Sequence, residues 1–387
     1  MGDTYRVVKL AAVQAAPVFL DREATVEKAC SLIREAGNNG ADLVGFPEGF
    51  IPSHPLWFHL FGPEDSVTSE CNKRLLLNSV QVPSSATERL CGAAKEAGCD
   101  VVIGICELSQ GSYATLYNTQ LVIGRNGRII GKHQKLVPTG KEKLVHTPGE
   151  ARTFRSFRTD WGVVGGLMCA ENQNNLARHT LLALGEQVHV ASWPTFFGPG
   201  IKGTGVLMHE LVDFTMRSHS YAGRVFTVNC AGAVDDTLAQ TLSRTPQARE
   251  YLEEQRTQGG GSSIVHPSGR RLAGPLIGEE GILYAEADLT QVATARLHRD
   301  LTGNYNRFDI FRLTLDRRTP CPLTVVDDAE DEGDDLEAMG ERGGEELSAP
   351  LIELEPERHG VKIRRGNSPQ SVRLEALAMS SREIDCS

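Results

Sequence analysis

The chain has 387 residues, 40% of them hydrophobic and 23% charged, enough for one large domain with a tail or for two domains. Its formal net charge of −10 is unevenly placed, because 17 acidic and only 9 basic side chains lie from Arg317 onward. The body before Arg317 is therefore close to neutral, which excludes the basic face a nucleic-acid binder needs in order to release counterions.

The first element is an apolar strand-like run, Val7–Val13. The residues before it have no signal-peptide core, and Arg6 stands where a myristoylation signal needs Ser or Thr. A helix is predicted to open near Asp21, with Val26, Ala29, Cys30 and Ile33 spaced along one apolar face, and to end in Gly37-Asn38-Asn39-Gly40. Asp42–Phe46 reads as a buried strand. A second helix begins at Ser85 with Glu88 as a capping-box partner, stops at Gly98, and leads into the strand Val101–Cys106. Val163–Cys169, a helix through Leu184, and Val188–Ser192 repeat the pattern, so the chain is an α/β protein.

Two hairpins interrupt this alternation. Thr119–Gly124 turns at Arg125-Asn126-Gly127 and returns through Arg128–His133; Ser262–His266 turns at Pro267-Ser268-Gly269 and returns through Arg270–Ala273. One hairpin in each half predicts a pseudo-twofold layout of two sheets packed face to face with helices outside. From Arg317 the periodicity fails. The expected organisation is a domain over residues 1–316 and an acidic, largely disordered or oligomer-docking tail over residues 317–387.

Nine cysteines are scattered without a CxxC pair, and their odd number cannot pair fully within one chain. That pattern fits a reducing compartment, so a cytoplasmic protein is expected. No run approaches a membrane span, and no histidine or cysteine spacing suggests a metal site. The glycines of Gly127–Lys132 are wrongly spaced for a phosphate loop, so no cofactor is expected.

The chemistry centres on Cys169, which ends the run Val163-Val164-Gly165-Gly166-Leu167-Met168 and precedes Ala170-Glu171-Asn172. A thiol there is held rigidly near the positive end of a helix dipole. Upstream stand Glu48, in Phe46-Pro47-Glu48-Gly49-Phe50, and Lys135, in Gly131-Lys132-His133-Gln134-Lys135-Leu136. A base, a cation and a thiol are the parts needed to open a carbon–nitrogen multiple bond covalently.

These motifs, with Tyr117-Asn118-Thr119, Pro138-Thr139 and Gly185-Glu186-Gln187-Val188-His189-Val190-Ala191-Ser192-Trp193-Pro194, resemble the nitrilase superfamily, and within it the nitrilase branch, from about Val7 to about Leu315. The resemblance implies an α-β-β-α sandwich, assembled as dimers and then as spiral homo-oligomers. It also implies Glu48 as general base, Lys135 as the cation on the intermediate, Cys169 as nucleophile, and Glu142 as a second carboxylate that holds the lysine. The small-molecule partners would be a nitrile and water.

Three departures bear on the pocket. His54 falls where many nitrilases have Tyr, and Ala170 replaces the Trp common after the nucleophile. Gly303-Asn304-Tyr305-Asn306-Arg307-Phe308-Asp309 differs from the family's C-terminal motif at Asn304 and Phe308. A roomier site lined by His54, Trp57, Ala170, Trp193 and Phe196 is expected. The leading activity is hydrolysis of an organic nitrile to acid and ammonia. The alternatives are a nitrile or cyanide hydratase releasing amide, an amidase, or a non-catalytic assembly scaffold.

Overall fold

The computed structural model describes residues 5–195 and 208–318. Phe196, and the expected tail apart from Arg317 and Arg318, lie outside the described residues. The first half contains β1 (Val7–Gln14), α1 (Arg22–Asn38), β2 (Leu43–Gly45), α2 (Ser66–Asn78), α3 (Ser85–Ala97), β3 (Asp100–Leu108), β4 (Leu116–Ile123) and β5 (Ile129–Gln134). Next come β6 (Phe157–Arg158), β7 (Val163–Met168), α4 (Asn175–Ala183), β8 (Val188–Trp193), α5 (Met208–Gly223) and β9 (Phe226–Ala231). Finally α6 (Asp236–Leu242), α7 (Pro246–Gln258), β10 (Gly260–Val265), β11 (Arg271–Ile277), β12 (Gly281–Asp288) and α8 (Thr290–His298) complete the order.

The strands form two six-stranded sheets, ordered β12-β1-β2-β3-β4-β5 and β11-β10-β9-β8-β7-β6. Each has three parallel strands in the middle, β1-β2-β3 in one and β7-β8-β9 in the other, with antiparallel strands outside them. The expected pseudo-twofold is this repetition, and both predicted hairpins are present as β4–β5 and β10–β11.

The sandwich follows from the period of two along a strand. Leu10 and Ala12 of β1 point between the sheets, against Val188, Val190, Phe226 and Val228. Ala11 and Val13 point the other way, beneath Val26, Ala29 and Ile33 of α1 and Leu90 and Ala93 of α3. Strands covered on both faces need apolar residues at every position, which is why they read as continuous hydrophobic runs. Each such fully buried Leu, Ile, Val or Phe contributes about 1.5–3 kcal/mol through lost apolar hydration.

Local chemistry sets the helix ends. Asp21 caps α1 by accepting from the Ala24 N–H at 3.0 Å, at the expected start. The cap of α3 is shifted by one residue from expectation: Ser84 and Thr87, not Ser85 and Glu88, exchange the capping-box hydrogen bonds. Gly98, at φ 63°, ends that helix in the left-handed conformation glycine adopts without penalty. No helix among the described residues is long and apolar enough to cross a membrane.

Candidate active site

Glu48, Lys135, Cys169 and Trp193 all sit at or just beyond the C-terminal ends of strands, on β2, β5, β7 and β8 respectively. Open α/β sheets place ligands at that edge, where strand ends diverge into loops. The Glu48 loop crosses directly over Gly104 of β3. A Cβ at Gly104 would lie 2.5 Å from the Gly49 nitrogen and 2.9 Å from the Glu48 Cα, so only glycine permits the approach.

Three of the predicted side chains meet in one buried cluster. Lys135 Nζ donates to Glu48 Oε1 and to Glu142 Oε2, each at 2.7 Å. Asn118 Nδ2 donates to Glu48 Oε1 and Glu142 Oε1, also at 2.7 Å each. Glu142 further accepts from the Thr139 N–H at 2.8 Å and from His146 Nδ1 at 3.1 Å. An ammonium has three protons, so Lys135 keeps one for another partner. Glu48 Oε2 is buried with no hydrogen-bond partner. Asn118 Oδ1 is likewise buried without a partner, so the cluster presents one spare donor and two spare acceptors.

Two carboxylates around one lysine cannot share an environment equally, and their proton affinities separate. Burial raises Glu48 to about 7, with the Glu142 charge pushing the same way and Lys135 opposing. For Glu142 burial acts upward too, but His146 and Lys135 outweigh it and hold its carboxyl well below the usual range. Burial disfavours the Lys135 ammonium, yet Glu48, Cys169 and Glu142 together keep it charged, above its ordinary value.

Cys169 joins the same electrostatic cluster. Its φ of 50° is unusual for a non-glycine residue and turns the chain sharply out of β7 into a short 3₁₀ segment, Cys169–Gln173. The continuous helix expected here is therefore split, with α4 starting only at Asn175. Nor does a helix dipole lower the thiol. Burial pushes it well above its ordinary value, Glu48 adds to the rise, and Lys135 and the Ala170 N–H oppose it. A thiol so placed needs a base at the moment it reacts.

The predicted lining residues separate. Trp193 packs with Cys169, Val212 and Met216, with Ala170 against the same cluster, and its indole N–H has no partner. His54 is buried with Nδ1 unpartnered, 3.9 Å from Glu48 Oε1, and desolvation holds it neutral. Trp57 instead belongs to a different apolar cluster with Phe19 and Leu75, and its indole N–H donates to Asn72 at 2.9 Å.

Supporting residues emerge whose roles the sequence did not disclose. Glu171 Oε1 accepts from the Leu136 N–H at 2.7 Å, and its Oε2 accepts from the Met168 N–H at 3.0 Å. One buried carboxylate thereby pins the neighbours of Lys135 and Cys169 to each other. Glu186 binds His189 and His219 at 3.0 and 2.9 Å, and His189 Nε2 meets Asn172 Oδ1 at 2.9 Å. Asn172 donates to the Cys169 carbonyl at 3.1 Å, so this network buttresses the turn. The ligand-type atoms of Glu186, His189 and His219 lie within 4.8 Å of one another, as do those of Glu48, His54 and Glu142. Neither clustering shows as sequence spacing; the first is closed by its own hydrogen bonds, and the second is part of the site.

A carbon-nitrogen hydrolase family model matches residues 9–297. The chain is 34% identical over 334 residues to a protein named Nitrilase 2 from an unknown prokaryotic organism, spanning 86% of this chain and 100% of that one. It is 36% identical to an aliphatic nitrilase of Rhodococcus rhodochrous, over 82% of this chain and 85% of the relative. The crystal structure of Saccharomyces cerevisiae Nit3, a member of branch 10 of the nitrilase superfamily, shares the fold. Its TM-score is 0.57 at 22% identity, over 77% of this chain and 96% of that one. On these matches, and on a two-sheet sandwich that gathers a thiol, a lysine and two carboxylates at its strand ends, the chain belongs to the carbon-nitrogen hydrolase family.

Proposed function

We propose that this carbon-nitrogen hydrolase is a nitrilase, converting an organic nitrile and two waters to a carboxylic acid and ammonia, with Cys169 as nucleophile, Glu48 as general base and Lys135 as the fixed cation. The observation that carries the reading is the pairing of a spare donor on Lys135 with the unpartnered Glu48 Oε2 beside a buried thiol. Glu48 takes the thiol proton as sulfur attacks the nitrile carbon, and the nitrile nitrogen, gaining charge, is met by Lys135 and receives that proton. The product is a thioimidate. Water adds with its proton passing through Glu48, ammonia leaves, and a thioester remains. A second water, activated the same way, releases the acid and restores the thiol. Glu142 holds Lys135, and the Ala170 N–H supports charge at the reacting centre.

His54, Ala170 and Trp193 line the nitrile pocket in this reading, His54 and Trp193 offering unpartnered ring nitrogens to a polar substituent. Ammonia, acid and amide would be measured from a panel of aliphatic, aromatic and arylacetonitriles plus cyanide. Acid and ammonia in equal amounts from an organic nitrile are expected. Amide as the main product would replace the proposal by a hydratase, and turnover of amides alone by an amidase. With Glu48 as base, kcat/KM rises with pH through about 7 as that carboxyl loses its proton.

We further place the catalytic domain at residues 1–316 and treat 317–387 as an appended acidic segment, in a cytoplasmic protein that works as a homo-oligomer built from dimers. Support for assembly comes from the exposed side chains of Tyr305, Phe308, Ile310 and Phe311, an apolar stretch unusual for a monomer's surface. Light scattering of the full chain should give a mass at least twice 42.1 kDa, and a monomer at micromolar concentration would sink the idea.

A further inference from the structure

Behind Glu142 lies a buried thiol–imidazole pair that the proposed chemistry does not use. His146 Nδ1 faces Glu142 Oε1 at 3.1 Å, and its Nε2 faces the sulfur of Cys106, on β3, at 3.3 Å. The Cys106 sulfur also lies 3.3 Å from Ser79 Oγ, which is 2.7 Å from the Leu75 carbonyl. Both Cys106 and His146 are shielded from solvent.

Donors and acceptors set the direction of this chain. Ser79 Oγ donates to the Leu75 carbonyl and to the Cys106 sulfur, so the sulfur is an acceptor on that side. On its other side the sulfur offers a lone pair to His146 Nε2. Glu142 Oε1, facing Nδ1, is an acceptor as well. Both ring nitrogens of His146 thus face acceptors, the arrangement that suits an imidazolium. Burial opposes that charge, but Cys106 and the Glu142 carboxylate outweigh it and raise the imidazole to about 9.

We propose that His146 is a positioning residue for the nitrilase reaction, a second buried cation that holds Glu142 ionised and aimed at Lys135 while Cys106 and Ser79 fix its ring. The inference rests on the proposed function for its kinetic consequence and on geometry for its charge. With Lys135 as the sole cation, its charge would be divided between Glu48 and Glu142. With His146 on the far oxygen, Glu142 is already compensated, and Lys135 is free to answer charge on the substrate nitrogen. The charged and titratable groups that face His146 are Glu142, Cys106 and His54, whose ring centroid lies 6.2 Å away, with Lys135 beyond Glu142. His54 is kept neutral by its burial and does not compete for Glu142.

The test combines two variants with a measurement that needs no turnover. His146→Phe keeps a ring but removes both donors. It should lower kcat about tenfold while KM moves less than about twofold, and should shift the acid limb of the pH profile upward by about one unit. His146→Asn, whose amide nitrogen stands near the place of Nδ1, should restore most of kcat but not the shift of the limb. In the full-length wild type labelled with ¹⁵N-histidine, and with the Asn variant used for assignment, His146 should show both nitrogens protonated at pH 7. A folded Phe variant with unchanged kcat and pH profile overturns the proposal. If that variant fails to fold, an Asn variant with wild-type kcat and an unmoved limb overturns it equally. A neutral His146 at pH 7 overturns it regardless of activity. Failure of the nitrilase reading would look different: no nitrile turnover by the wild type, with the imidazolium still present.

Discussion

Replacing Cys169 by Ala is expected to abolish release of acid and ammonia, with a loss on the order of 10⁵-fold or more, because neither covalent intermediate can form. The fold should survive. Cys169 is a small buried residue in a cluster with Ala191, Trp193 and Ala231, so losing one sulfur leaves only a minor void. The variant also removes a thiol whose ionisation the site resists, so no buried charge is stranded. Rapid quenching of the wild type with a nitrile, followed by intact-mass measurement, should trap an adduct on the Cys169 peptide that the variant lacks. An Ala variant within tenfold of wild-type activity would remove Cys169 from the mechanism. In that case the unpartnered Glu48 oxygen would have to act on water directly.

Lys135→Met is expected to combine a catalytic and a structural loss. Lys135 is 1% exposed, and its two hydrogen bonds are the ammonium contacts of Glu48 and Glu142. Removing one member of a buried charge cluster typically costs about 3–5 kcal/mol, because the remaining charges stay desolvated without compensation. The same change removes the donor we propose for the substrate nitrogen, worth about 10³-fold in kcat. The pH dependence separates the two effects. Lys135 lowers the proton affinity of Glu48, so without it Glu48 titrates above the wild-type value of about 7. A carboxyl raised above its unfolded value contributes stability that is present below the unfolded value and fades as pH rises through the folded one. The variant should therefore lose most stability toward pH 8 and recover toward pH 5, as read by denaturant midpoints. Equal destabilisation at both ends would mean that Lys135 acts by packing alone.

How much of this was legible in the sequence depends on the range of the interaction. The run Val163–Met168 and the cap at Asp21 rest on local periodicity and local hydrogen bonds, and they read directly. The short β2 was found, whereas α2, β6, α5, β9, α6, α7, β12 and α8 were not predicted. β12 is only partly buried, and α7 is strongly polar apart from Ala248, Tyr251 and Leu252, so their patterns are weak. At α3 the cap slipped by one residue because two adjacent serines offer the same chemistry and only the backbone turn selects between them. Trp57 illustrates another limit. A tryptophan near a catalytic motif can line a pocket or fill a core, and its indole N–H found Asn72.

The amino-acid sequence by itself determined the two-sheet class, the family resemblance, and Glu48, Lys135, Glu142 and Cys169 as the residues to watch, since these reside in short motifs. Only the tertiary structure decided what those residues do to one another. Asn118 on β4 bridges Glu48 and Glu142, two carboxylates far apart in the sequence, in the loops after β2 and β5. Glu171 ties Leu136 to Met168, and Cys106 with His146 backs Glu142 across separate elements. Proton affinities follow the same rule. Burial and neighbouring charge raise Glu48 and the Cys169 thiol, and both are properties of the folded interior rather than of any stretch of chain.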